Sequence, residues 1–242
     1  MLSILKKEFN GFLNSLIAYI VLTVFLVATG MFMWVFPESS VLEYGFADMQ
    51  TLFNMAPWMF LFLIPAITMR TFAEEKREGT IELLLTKPLT DLQLILGKYF
   101  AALLLALFAL LPTLLYYYSV YTLGNPAGNV DSAAVAGSYI GLMFLAAVFT
   151  AIGVFASSVS DNQIISFVLA LFLCFVIYTG FDSIASIPVW GTYGYFISQM
   201  GISYHYSAIS RGLVDSRDVL YCLSVIAILI LATKLVLRGR KW

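Results

Sequence analysis

The sequence predicts an all-α integral membrane protein with six transmembrane helices, an N-terminal interfacial amphipathic helix and a cytoplasmic helical elbow. Three observations carry this. Of the 242 residues, 61% are hydrophobic and 11% are charged, against roughly 45–50% and about 25% in soluble domains. Six apolar runs are long enough to cross a bilayer, which takes about 20 residues. The basic residues fall almost entirely on one side of those runs.

The N-terminal segment, residues 1–15, places Leu2, Leu5, Phe9, Phe12, Leu13 and Leu16 at steps of three and four, with Lys6, Lys7 and Asn10 opposite. That pattern predicts an amphipathic helix lying on the membrane surface. The apolar run that follows is too long for the core of a cleaved signal and ends in the bulky Met33-Trp34-Val35-Phe36, so it reads as a retained span.

The predicted spans are Leu16–Phe36, Leu52–Met69, Leu94–Tyr121, Val135–Ala156, Ile164–Phe181 and Val219–Leu237, the last with Lys234 snorkelling towards the headgroups. Their continuous Leu- and Phe-rich character excludes barrel strands, which alternate. Six spans put both termini on one side. That side holds 11 of the 13 basic residues: Lys6, Lys7, Arg70, Lys76, Arg77, Lys87, Lys98, Lys234, Arg238, Arg240 and Lys241. Only Arg211 and Arg217 fall on the other, which makes the termini cytoplasmic. Residues 183–218 form the outer loop. Its first part, 183–210, is rich in Gly, Ser and Tyr, and it reads as an interfacial or re-entrant segment.

The one long cytoplasmic excursion, residues 70–93, reads RTFAEEKREGTIELLLTKPLTDLQ. Its acidic residues are Glu74, Glu75, Glu78, Glu82 and Asp91, and its basic ones Arg70, Lys76, Arg77 and Lys87. Glu74 and Arg77 stand at helical spacing for an ion pair. Gly79 suits a helix end. Thr80 can cap a short second helix, Ile81–Leu85, that Pro88 stops. Thr90 and Gln93 form a capping box for the third span. Ile81, Leu83, Leu84 and Leu85 are too apolar for a solvated linker and call for the membrane surface or a protein partner. A compact charged-then-apolar elbow is suited to docking.

Much chemistry is excluded. No Gly-x-x-x-x-Gly-Lys-Ser/Thr loop is present, so the chain carries no phosphate loop of its own. No catalytic or metal-ligating constellation stands out. Cys174 and Cys222 lie in separate apolar runs, and the single His205 suits hydrogen bonding in the outer segment. No ionisable residue sits mid-span, Lys98 and Asp182 lying near span ends, which argues against an ion-coupled carrier. Gly137, Gly141, Ala146, Ala147 and Gly153 make the fourth span a close-packing helix, within the chain or at a dimer seam. Tyr116, Tyr117, Tyr118, Ser119, Tyr121 and Thr122 suit either an exit path or an interfacial belt.

Six spans, an amphipathic N-terminal helix and the loop FAEEKREGTIELLLTKPLT resemble the ABC type-2 exporter permeases. In that family the loop after the second span carries Glu-x-x-x-Gly-Thr, an apolar stretch and a Pro, matched here by Glu75, Gly79, Thr80, Ile81–Leu85 and Pro88. Together with APWMFLFLIPAITMRTFAEEKREGTIELLLTKPLTDLQLILGKY, FASSVSDNQIISF and HYSAISRGLVDSRDVLYCL, the chain is most similar to the gliding-motility-associated permeases of Bacteroidetes. The resemblance implies a permease subunit in a bacterial inner membrane, paired with an identical or similar second permease. It implies a coupling-helix elbow docked on a separate ATPase, which alone would hold ATP-Mg. The coupling residues would be Glu74, Glu75, Arg77, Glu78, Gly79, Thr80, Ile81, Glu82, Leu83, Leu84 and Pro88. No cofactor on this chain and no nucleic acid are expected. The alternative is a membrane scaffold that anchors an ATPase or motility assembly without moving a substrate.

Overall fold

A computed structural model describes residues 1–43, 46–81, 90–212 and 214–239. Among these the protein is all-helical, and six helical segments are long and apolar enough to cross a membrane. The helices are α1 (Leu2–Leu13), α2 (Leu16–Trp34), α3 (Gln50–Thr68) and the short α4 (Ala73–Arg77). Next come α5 (Asp91–Leu110), which a 3-10 turn at Leu111–Thr113 joins to α6 (Leu114–Leu123), and then α7 (Ser132–Val159). The α8 helix (Gln163–Phe175) runs through a π-helical turn (Val176–Gly180) into α9 (Phe181–Ala185). A 3-10 turn at Pro188–Trp190, α10 (Tyr193–Ser198) and α11 (Ile202–Ile209) lead to α12 (Ser216–Arg238).

Several helices begin a few residues before the apolar runs do, because a polar residue caps each start. Asp131 Oδ1 accepts from the Ala133 and Ala134 amides at 3.1 and 3.0 Å, Asn162 Oδ1 from Ile164 at 2.9 Å, and Asp215 Oδ1 from Arg217 at 3.0 Å. Each satisfies an amide that the first turn leaves without an intrahelical acceptor.

The α7 helix is the central pillar, with 78% of its span buried, against 22% for α2 and α8 and 17% for α12. It touches α3, α5, α8, α11 and α12. Its small residues serve this packing. A Cβ on Gly153 would overlap the Thr68 side chain of α3, one on Gly137 would come within 2.7 Å of the Gly212 Cα, and one on Gly141 within 2.9 Å of Ile209. The close approach made by Gly137, Gly141 and Gly153 is thus within the chain, and the peripheral helices hold the lipid-facing surface.

Within residues 183–210, α11 packs against α7 and α12. Ile202, Tyr206 and Ile209 are buried, and the Tyr206 hydroxyl donates to the Phe53 carbonyl at 2.7 Å. The tyrosines of α6 do not gather round one path. Tyr116 donates to the Leu26 carbonyl at 2.9 Å, Tyr117 meets Ser132 at 2.7 Å, Tyr118 and Tyr121 are exposed, and Ser119 and Thr122 bond their own helix.

The start of α1 and the end of α12 lie at one end of the bundle. Arg238, last residue of α12, reaches Asp91, first residue of α5, at 3.1 Å. Near the same end, α1 packs on α5. Ile4 is its buried contact, and it sits so close to Gly97 that a Cβ there would stand 3.1 Å from it. Leu2, placed by its spacing on the apolar face, is instead 76% exposed. The α1 helix therefore rests on a neighbouring helix with Ile4, Leu5, Phe9, Phe12 and Leu13 inward, and Leu2 turned away.

Candidate functional site: the elbow and its buried ion cluster

The chain leaves α3 by a tight turn and enters α4, so the elbow begins against the body of the protein. Ser157 of α7 fixes that entry. Its hydroxyl donates to the Met69 carbonyl at 3.0 Å and accepts from the Phe72 and Ala73 amides at 3.0 and 3.1 Å. These are amides at the start of a helix that would otherwise be orphaned. Lys76 adds a second tie, donating to the Ser158 carbonyl. Thus α4 is stapled to the C-terminal turn of the central pillar.

The exit of α4 follows the sequence pattern closely. Gly79 adopts φ +70°. The Gly79 amide donates to the Lys76 carbonyl at 3.2 Å and the Thr80 amide to the Glu75 carbonyl at 3.0 Å. This pair of bonds is the Schellman closure, which needs a left-handed residue where Gly79 stands. Thr80 also donates its hydroxyl to the Glu75 carbonyl at 3.4 Å. Downstream, the Thr90–Gln93 capping box forms with both of its bonds, at 3.2 and 3.3 Å.

Beneath the elbow lies a buried ion cluster centred on Lys98, which is 1% exposed. Its ammonium donates to Glu8 Oε1 of α1 at 2.9 Å and to the Thr71 carbonyl at 2.6 Å. It meets Glu75 Oε1 of α4 at 2.9 Å. Three donors on the ammonium thus meet three acceptors on two other parts of the chain, the arrangement a desolvated charge requires. The Phe72 ring covers the ammonium, 5.2 Å from its centroid. Glu75 is 9% exposed, and its Oε2 has no hydrogen-bond partner among the described residues. Lys7 stands 4.0 Å from Glu75 Oε1. Beside the cluster, Arg70 holds Glu74 with two bonds, at 2.9 and 3.1 Å, and donates to Ser15 at 2.8 Å. A cleft of about 350 Å³, lined in part by Glu8, Glu75, Glu78 and Lys98, opens over these groups.

The residues expected to dock divide accordingly. Arg77, Glu78 and Gly79 stand at the surface. Glu75 and Ile81 face inward, Ile81 being 6% exposed in a small cluster with Ile4, Phe72, Leu94, Ile95, Val154 and Leu237. Glu74 is half-buried, and it pairs with Arg70 rather than with Arg77, because Arg70 sits one turn earlier with its guanidinium free to chelate both carboxylate oxygens. Glu82, Leu83, Leu84 and Pro88, and with them most of the short helix Ile81–Leu85, lie outside the described residues.

Sequence reasoning missed Lys98, Glu8, Ser157 and Ser158. The signal for Lys98 was its position seven residues into α5, followed by an uninterrupted apolar run, where a cation without a partner would be costly. For the two serines there was no signal, since small polar residues near a helix end are ordinary.

At the opposite end His205 Nδ1 faces Asp218 Oδ1 at 2.7 Å, and Nε2 faces the Gln199 carbonyl at 2.9 Å. A carboxylate thirteen residues along is invisible to a search by ligand spacing, and the fold supplies it by setting α11 against α12.

Five apolar helical segments around a sixth, the pillar α7, with a charged elbow stapled to the pillar's end, make a multi-pass membrane protein. The profile of the ABC-2 family transporter protein matches residues 2–206, and the chain belongs to that family, as a permease component. A search of the curated proteins finds no match.

Proposed function

We propose that this chain is the membrane-spanning subunit of an ATP-driven exporter, with both termini cytoplasmic in a bacterial inner membrane. Its elbow docks on a separate ATPase that binds ATP-Mg, and a second permease, identical or similar, completes the pore. The resemblance to gliding-motility permeases makes surface motility or secretion the process it serves.

One observation carries the coupling part of this reading: the elbow is bolted to the bundle. Lys98 joins α5 to α1 and to Glu75 of α4, and Ser157 joins the elbow entry to α7. A segment held this way transmits a push from a partner to α1, α5 and α7 as one displacement, where a tethered loop would absorb it. Among the described residues of α4 and its C-terminal cap, Arg77 and Glu78 are exposed polar groups that a partner can grip.

The test is co-purification of the tagged full chain in mild detergent, with a charge-reversed Arg77→Glu/Glu78→Arg variant beside it. These exposed positions leave the buried cluster intact. A stoichiometric P-loop ATPase that is lost from the variant supports the reading. A folded preparation that brings down no ATPase in either form overturns it and favours a scaffold.

A further inference from the structure

Far from the elbow, the other end of the bundle holds a second polar site. A cleft of about 500 Å³ opens between the first turns of α3, the π-helical turn and α11. The π-helical turn, Val176–Gly180, carries Tyr178, and α9 follows it with Asp182 one turn on. Such turns are rare and often mark functional positions, because the extra residue re-aims the side chains around it. Here it brings Tyr178 and Asp182 to one cleft with Trp58, whose ring meets that of Tyr178 edge-on at 5.9 Å between centroids.

The hydrogen-bonding character of the lining decides what fits. Ser198, Ser207 and Ser210 each donate their hydroxyl proton to a backbone carbonyl, at 2.9, 2.8 and 3.2 Å. Ser203 donates to Asp182 Oδ2. All four serine protons are committed, so these oxygens face the cleft as acceptors. Asp182 adds a carboxylate with no cationic partner among the described residues, and no Lys, Arg or His lines the cleft. Trp58, Tyr178 and Tyr204 contribute aromatic rings, whose faces attract cations. A wall rich in acceptors, with aromatic rings and a carboxylate that has no cationic partner among the described residues, repels an anion, and Asn54 adds a side-chain amide donor to the lining. It suits an N–H-bearing cation.

We infer that this cleft binds a primary alkylammonium group, with Asp182 and the serine oxygens accepting its N–H bonds and Trp58 and Tyr178 covering its apolar portion. The group could belong to a free amine or to an aminated lipid headgroup; the chemistry is shared. The inference stands independently of the ATPase reading.

The test is calorimetric titration of the detergent-purified full chain at neutral pH with benzylammonium, and with benzyl alcohol as its uncharged counterpart. Saturable binding of benzylammonium at least about tenfold tighter than of benzyl alcohol is expected. Asp182→Asn keeps an acceptor for Ser203, and Trp58→Leu changes a half-exposed side chain. Each should weaken benzylammonium about tenfold while elution and helix content stay unchanged. Dihexanoyl-phosphatidylethanolamine below its micellar concentration separates the sources. Competition with benzylammonium assigns a lipid headgroup, and none assigns a free amine. Equal binding of benzyl alcohol, binding of maltose in place of the ammonium, or full affinity in Asp182→Asn overturns the inference.

Discussion

Lys98 and His205 each hold a buried or nearly buried carboxylate, at opposite ends of the bundle, and the difference between them lies in what they join. Lys98 gathers α1, α5 and the elbow, through partners 90 and 27 residues away in sequence as well as Glu75. His205 joins α11 to the first turn of the adjacent α12 and stacks on Tyr221 of that same helix, with ring centroids 3.9 Å apart. Asp218, its partner, also sits where the helix dipole favours an anion. The far-end pair is a clasp between two consecutive helices. The Lys98 cluster is a joint between separate elements, and one carboxylate oxygen in it, Glu75 Oε2, is left without a partner. The joint makes separate elements move as one unit, whereas the clasp shapes a single pair of neighbouring helices.

Breaking the joint should have the largest effect. Lys98→Met leaves the buried Glu75 and the partly exposed Glu8 without their shared cation, and removing one partner of a buried ion pair costs about 3–5 kcal/mol. The expected result is a large fall in the thermal midpoint of the detergent-solubilised protein, followed by size exclusion. Adding Glu8→Gln and Glu75→Gln should recover most of it, since the triple variant buries no charge there. A Lys98→Met midpoint equal to that of the parent would remove the joint from the account.

Opening the clasp should cost less. In His205→Ala, Asp218, which is 6% exposed, loses its nearest partner, and an unsatisfied buried acceptor costs about 1–3 kcal/mol. The loss should be local. Amides of α11 should exchange with solvent faster, while those of α4 and α5 keep the protection of the parent. Faster exchange spreading to the elbow would show that the two ends are coupled and would erase the contrast drawn above.

The contrast also explains what could be read from the sequence. The six spans were legible because each long apolar run has to be a helix in lipid, whatever it packs against. The elbow's local grammar was legible too: Gly79 closes α4, and Thr90 with Gln93 opens α5. Those bonds span three to five residues, so spacing alone specifies them. The joint was not legible. Whether Glu75 faces out to a partner or in to Lys98 depends on where α5 and α1 lie, and no local pattern carries that. The same holds for His205 and Asp218, and for Glu74, whose choice of Arg70 over Arg77 turns on the path of the chain leaving α3.

The smallest effect expected is at Gly79, and it isolates the elbow's backbone from its side-chain contacts. A Cβ there meets nothing within 4 Å, so sterics with neighbours contribute nothing, but the residue sits at φ +70°. An L-residue in that region costs roughly 1–2 kcal/mol. Gly11 of α1 is the matched control: a Cβ there also meets nothing within 4 Å, but the backbone is helical and φ is not positive. Gly11→Ala should therefore be neutral or stabilising by about 0.5–1 kcal/mol. Gly79→Ala should lower the protection of the Thr80 amide, whose bond to Glu75 closes the elbow, and leave the global midpoint nearly unchanged. If both substitutions behave alike, the closure at Gly79 does not hold the elbow's shape, and the ties to Ser157 and Lys98 are sufficient to set it.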